Sequence, residues 1–75
     1  MTAIQKNSRE EIRVELSKFN GYDLINIRVW ADPHDGGETR IPTKSGIACK
    51  VALLPQIISA LQAAEAEARK LGLIE

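Results

Sequence analysis

The chain is short of the side chains that carry specialised chemistry: of its 75 residues, one is cysteine, one histidine, and one each tryptophan, tyrosine and phenylalanine. A lone cysteine, Cys49, excludes a disulfide within the chain. His34 and Cys49 are the only soft ligands and have no second pair beside them, so no metal site and no cofactor are expected. Ten basic side chains balance ten acidic ones, which removes any overall attraction to polyanions. No apolar run approaches membrane-spanning length, and the N-terminus lacks a charged-then-apolar leader pattern. A soluble, intracellular protein with no membrane partner is expected. A chain of this length makes one domain with a thin core. With disulfides and metal set aside, self-association is the remaining supplement, and a homodimer is expected.

What is present is concentrated in the stretch from Tyr22 to Asp32. Read with a period of two, Ile25, Ile27, Val29 and Ala31 share one strand face, and Asn26, Arg28 and Trp30 share the other. The first set suits a core. The second combines a ring and a guanidinium on a solvent-side face, which is what stacking bases and neutralising phosphate require. A plainer account also fits, in which Trp30 covers a sheet edge and Arg28 is a solvated charge.

Residues 1–11 are polar and without periodicity, and read as a flexible N-terminal arm. Residues 12–75 then form the domain. Glu11 to Phe19 alternates as a half-buried strand, with Ile12, Val14 and Leu16 on one side and Arg13, Glu15 and Ser17 on the other. Phe19 keeps the parity of Arg13. Asn20-Gly21 is a hairpin signal, because both residues accept positive φ. Asp32 to Gly37 concentrates Pro, Gly and Asp and reads as a loop. Its aspartates and His34 are taken as turn formers, since calcium-loop spacing is absent.

Glu38 to Lys44 is expected as a short strand at an edge or with a bulge, because Pro42 cannot donate to a ladder. Ser45-Gly46 then makes a turn into a further strand from Gly46 to Val51. Cys49 falls on its apolar side as a small core residue. Pro55 suits the first position of a helix in which Ile57, Ile58, Leu61, Ala64, Ala68 and Leu71 recur at helical spacing. Gly72 would stop it, with Arg69 and Lys70 favouring the dipole of the last turn. The fold class is therefore α+β: a four-stranded antiparallel sheet followed by one C-terminal helix, dimeric because one helix covers only part of the apolar sheet face.

Charge is unevenly placed. The acids of the sheet region gather at turns (Asp23, Asp32, Asp35 and Glu38), whereas the strands carry Arg13, Lys18, Arg28, Arg40, Lys44 and Lys50 against Glu15. A neutral chain can still present a basic sheet, although strand lysines also serve to prevent edge pairing.

The run from Phe19 to Trp30, then Asp32-Pro33, Pro42 to Ile47, and Pro55 opening a terminal helix, resembles the positive-cofactor-four-like family of transcriptional coactivators. The resemblance covers roughly Ile12 to Lys70. It implies a twisted four-stranded sheet and a helix, dimerised so that paired sheets form grooves for single-stranded DNA. It also implies Phe19 and Trp30 as base-stacking residues, Arg28 and Lys44 as phosphate partners, and Lys18 and Arg40 as looser matches. The chain departs from the family at three places. Asn20 and Tyr22 stand where lysines often flank the turn glycine. One residue separates Arg28 from Trp30 where relatives can have two. Leu54 precedes Pro55 where a polar cap is usual.

The function expected is non-enzymatic binding of single-stranded DNA, with RNA as an alternative ligand, in transcription regulation or DNA maintenance alongside the transcription machinery. The competing reading is a structural dimer whose sheet face binds a protein, since Trp and Arg also anchor protein interfaces. An enzyme ranks third, because no group is evident to orient a pairing of Cys49 with His34.

Overall fold

A computed structural model describes residues 2–75. Four strands, β1 (Thr2–Gln5), β2 (Glu10–Phe19), β3 (Tyr22–Ala31) and β4 (Ile41–Lys50), form one antiparallel sheet in sequence order. A 3-10 turn (Val51–Leu53) leads into the helix α1 (Leu54–Lys70).

β2 and β3 are the spine of the sheet. Their register runs without interruption from Glu10 opposite Ala31 to Phe19 opposite Tyr22. Asn20 (φ 51°) and Gly21 (φ 80°) close the hairpin in the left-handed region, as a two-residue turn matched to strand twist requires. Because the pairing never slips, Arg13, Glu15, Ser17 and Phe19 share a face with Tyr22, Asn26, Arg28 and Trp30. Ile12, Val14, Leu16, Ile25, Ile27 and Val29 take the other. The short spacing from Arg28 to Trp30 thus leaves Trp30 on the polar face.

The four strands are drawn from different segments than the sequence pattern implies. The first lies inside the stretch read as an arm: Thr2–Gln5 pairs with β2, setting Ile4 against Ile12. Asn7 makes the connection possible, since its Oδ1 accepts the N–H groups of both Arg9 and Glu10 at 2.9 Å. Met1 lies outside the described residues.

At the other end, the expected pair of strands around a Ser45-Gly46 turn is corrected to one strand, β4. Pro42 is tolerated there because β4 is an edge strand. Gly46 is not a turn residue but a point of close approach: a Cβ at this position would lie 2.5 Å from the Ile27 carbonyl oxygen and 2.7 Å from the Arg28 Cα. Between Gly46 and Pro42 the strand bulges, so that Thr43, Lys44 and Ser45 stand across from Val29.

The helix starts at Leu54 with no side-chain cap and with proline in its first turn. It ends as expected at Gly72 (φ 73°). There the Leu73 N–H reaches the Ala68 carbonyl at 2.8 Å and the Gly72 N–H reaches the Arg69 carbonyl at 3.1 Å, the paired bonds of a Schellman stop.

The apolar face is barely covered. Among the described residues Ile25 is the one buried hydrophobic side chain, at 2% exposure. Leu16, Ile41 and Ile47 on the sheet, and Ile58 and Leu61 on the helix, are exposed. The chain is a slab of 43 × 35 × 18 Å with a radius of gyration of 14.8 Å, against about 11 Å for a compact domain of this length.

Candidate nucleic-acid interface

The polar sheet face holds a shallow groove of ≈ 180 Å³ lined by Arg13, Glu15, Ser17, Asn26, Arg28, Trp30 and Pro42. Strand alternation puts these side chains together, and the β4 bulge brings Pro42 back into register opposite Trp30. On the groove floor, Asn26 donates from Nδ2 to the Ser17 hydroxyl.

At one end of the groove the Arg13 guanidinium carbon lies 3.9 Å from the centroid of the Trp30 ring. Arg13 is held there by Glu11, whose Oε2 accepts its Nε–H at 3.0 Å. The ring is half-buried, and a planar cation against its electron-rich face is attractive. Arg28 sits directly opposite Arg13 in the register. Its Nη1 donates to the Thr43 carbonyl at 2.9 Å, leaving the other donors of its fork uncommitted among the described residues. Thr43 in turn donates from Oγ1 to the Val29 carbonyl at 2.9 Å and accepts the Ser45 N–H at 3.1 Å. The bulge is thereby stitched to β3, and exposed Lys44 projects from it.

At the hairpin end, Phe19 and Tyr22 face each other across the turn and are 66% and 56% exposed. The Lys50 ammonium lies 4.8 Å from the Tyr22 ring centroid.

Two of the expected basic residues stand elsewhere. Lys18 has the parity of the apolar face and pairs with Asp23 at 3.6 Å, both side chains exposed. Arg40 is engaged internally: its Nε donates to Asp32 Oδ1 at 3.0 Å, and its Nη1 to Glu11 Oε1 at 2.9 Å and Gln5 Oε1 at 3.3 Å. Its Nη2 reaches the Ser8 carbonyl at 3.3 Å. Arg40 therefore clasps β1, β2 and the loop after β3 together. The groove gathers Phe19, Arg28 and Trp30, with Lys44 at its margin. It does not gather Lys18, and it holds Arg40 as a tie.

Arg13, Tyr22 and Lys50 are the residues not singled out from sequence. Parity alone could have placed Arg13 and Tyr22 on the face of Trp30. Lys50 needed the β3–β4 register, which sets it opposite Leu24.

The ion pairs shift the ionisation of the groups that make them. The bond from Arg13, aided by Arg40 and opposed by desolvation, holds the Glu11 carboxyl below its ordinary range. Asn7 and then Lys6 do the same for Glu10. Asp32 and Glu11 raise Arg40 further. In the loop, the Gly36 N–H bonds the Pro33 carbonyl at 3.3 Å and the Gly37 N–H bonds Asp35 Oδ1 at 2.9 Å, so Asp35 acts as a turn former.

An antiparallel sheet with one open polar face, backed by a single terminal helix, defines a small α+β protein of the sheet-platform class. Residues 6–60 match the family described as Transcriptional Coactivator p15 (PC4), and the chain belongs to that family. Its members are DNA-binding coactivators without catalytic activity.

Among solved structures, the chain is similar to the PC4 homologue of Burkholderia pseudomallei K96243 in its orthorhombic crystal form, with 28% identity and a TM-score of 0.77 over 87% of this chain and 85% of that one. The tetragonal form of the same protein gives 28% identity and a TM-score of 0.77, covering 87% and 93%. A bacteriophage T5 homologue of the eukaryotic coactivator PC4, described as implicated in recombination-dependent DNA replication, matches with 25% identity and a TM-score of 0.71 over 95% and 83%. A search of curated proteins found no match.

Proposed function

We propose that this protein is an intracellular, non-enzymatic binder of single-stranded DNA that works as a homodimer in transcription regulation or DNA maintenance. The observation that carries this reading is the polar sheet face. Rings at both of its ends, Trp30 at one and Phe19 at the other, flank a groove edged by Arg13 and Arg28. Rings accept the faces of unstacked bases, and guanidinium groups follow the backbone. A duplex keeps its bases stacked away from such a surface, so the groove suits a single strand. Phe19, Trp30, Arg28 and Lys44 act as the contacts. The phage homologue's place in DNA replication supports the maintenance role, and the coactivator family supports partners in the transcription machinery.

The dimer is supported by the second face. Exposed Leu16, Ile41 and Ile47 on the sheet and Ile58 and Leu61 on the helix are the kind of surface that a soluble domain covers. A second copy of the chain supplies a matching surface.

The test is a titration of fluorescently labelled single-stranded and duplex DNA at several salt concentrations. Tighter binding of the single strand, weakening linearly on a log–log plot against salt, is expected. Equal affinity for both forms, or no salt dependence, overturns the reading and leaves the sheet face to a protein partner.

A further inference from the structure

The hairpin end of the groove holds more than Phe19. Phe19 and Tyr22 are the residues on either side of the Asn20-Gly21 turn, directly opposite in register and on the same face as Trp30. Their Cβ atoms are therefore about 5 Å apart. Both rings are largely exposed, although an aromatic side chain in water forgoes the gain of burial. The Lys50 ammonium lies 4.8 Å from the Tyr22 centroid and makes no ion pair among the described residues. The polar face thus ends in two adjacent rings and one unpaired cation.

We propose that Tyr22 and Lys50 form, beside Phe19, a binding subsite for one unstacked nucleobase and its phosphate, separate from the Trp30 end of the groove. The inference rests on the proposed single-strand binding and deepens it. Tyr22 supplies a second ring face to the base, and Lys50 leaves that face to neutralise the adjoining phosphate. Tyr22 and Trp30 are eight residues apart on one strand, about 27 Å at the rise of an antiparallel strand. A single base cannot touch both, so this is a distinct position along the strand of nucleic acid.

The subsite also accounts for one departure of the sequence from its family. Where lysines often flank the turn glycine, this chain carries Asn20 and Tyr22. A ring in place of a charge replaces counterion release with stacking. That exchange suits a chain whose net charge is zero and makes its binding less dependent on salt at this end.

The experiment uses the full chain and an oligothymidylate, followed by proton NMR. The chain has one tyrosine and one tryptophan, so the ring protons of each report one end of the groove in a single titration. The expected result is an upfield shift of both the Tyr22 and Trp30 ring signals, saturating together. Movement of Trp30 with Tyr22 unmoved overturns the subsite and leaves single-strand binding standing. No movement of either, with no binding, overturns both.

Variants supply an independent measurement. Tyr22→Ala should lower affinity on the order of tenfold, while Tyr22→Phe, which keeps the ring, should stay near the parent. Lys50→Ala should reduce the slope of log affinity against log salt by about 0.7. Equal affinities for Tyr22→Ala and the parent overturn the proposal. Tyr22 is exposed, and the titration of the unaltered chain decides the question even if a variant fails to fold.

Discussion

The guanidinium of Arg13 lies over the ring of Trp30 at 3.9 Å, and Glu11 holds it there. In the free protein Trp30 is therefore a covered platform, while Phe19 and Tyr22 are open ones. A base that stacks on the covered side of Trp30 must first displace Arg13, which is then free to meet a phosphate. Arg13→Ala should uncover the ring, raising the quenching of Trp30 fluorescence by acrylamide in the absence of DNA. It should also cost about 0.5–1 kcal/mol of stability from the lost cation–ring contact. Unchanged quenching would mean that Arg13 does not shield the ring in solution.

Stacking and phosphate contacts should separate by their salt response. Trp30→Ala and Phe19→Ala are each expected to weaken single-strand binding by roughly 1–3 kcal/mol at any salt concentration. Arg28→Ala and Lys44→Ala should instead flatten the salt slope by about 0.7 each. Binding isotherms across a series of salt concentrations distinguish the two classes. A Trp30→Ala protein that binds as well as the parent would rule out the Trp30 end as a stacking site.

Acid should loosen the end of the sheet where Arg13, Glu11 and Arg40 meet. Glu11 is held below its ordinary range, chiefly by its bond from Arg13. A carboxyl whose folded pKa is depressed contributes stability that is present above its unfolded pKa and is lost as pH falls through the folded one. Thermal midpoints should therefore fall as the pH drops below about 4.5, the ordinary carboxylate value. Glu11→Gln should shrink the part of that fall due to this group. If the midpoints of parent and variant run parallel through the acid range, the ion pairs contribute nothing measurable.

The apolar face makes its own prediction. Leu61 is 61% exposed on the helix. Leu61→Lys should convert the dimer to a monomer or unfold it, because a charge would enter an apolar contact. Light scattering on the parent should give twice the 8.3 kDa chain mass. A parent that scatters as a monomer overturns the dimer, and a dimeric Leu61→Lys protein places the interface elsewhere.

Gly46→Ala should disrupt β4. The added methyl would meet the β3 backbone at 2.5 and 2.7 Å, and backbone cannot swing aside as a side chain can. A loss of about 1–3 kcal/mol is expected in denaturant unfolding. A neutral effect would show that β4 shifts freely, and with it the bulge that carries Lys44.

Much of this architecture is legible in the sequence because alternation and turn chemistry are local. The β2–β3 hairpin follows from the parity of Ile12 to Phe19 and Ile25 to Ala31 together with Asn20-Gly21, and the helix follows from Pro55, the apolar spacing and Gly72. β1 is not legible, since Thr2, Ala3, Ile4 and Gln5 carry little pattern and are ordered by pairing with β2. Continuous β4 is hidden by Pro42 and Gly46, two residues that usually break strands. Here one is permitted by an edge and the other required by close approach. At the candidate site, parity puts Arg28, Trp30 and Phe19 on one face. It cannot show which basic side chains are free: Lys18 and Arg40 meet acids set by register and loop path.

The clasp made by Arg40 bears on how a mutational scan of this protein should be read. Its fork reaches Gln5, Ser8, Glu11 and Asp32, drawn from separate segments of the chain. An alanine scan scored by DNA retention would mark Arg40 as a hit, indistinguishable there from a residue that touches the ligand. The lysine variant tells the two apart. A point charge on a flexible stem can replace a phosphate contact but cannot reproduce a planar fork with several fixed partners. Arg40→Lys should therefore fail as Arg40→Ala does, and the same failure should show in stability without DNA, marking a genetic signal that arises in the scaffold.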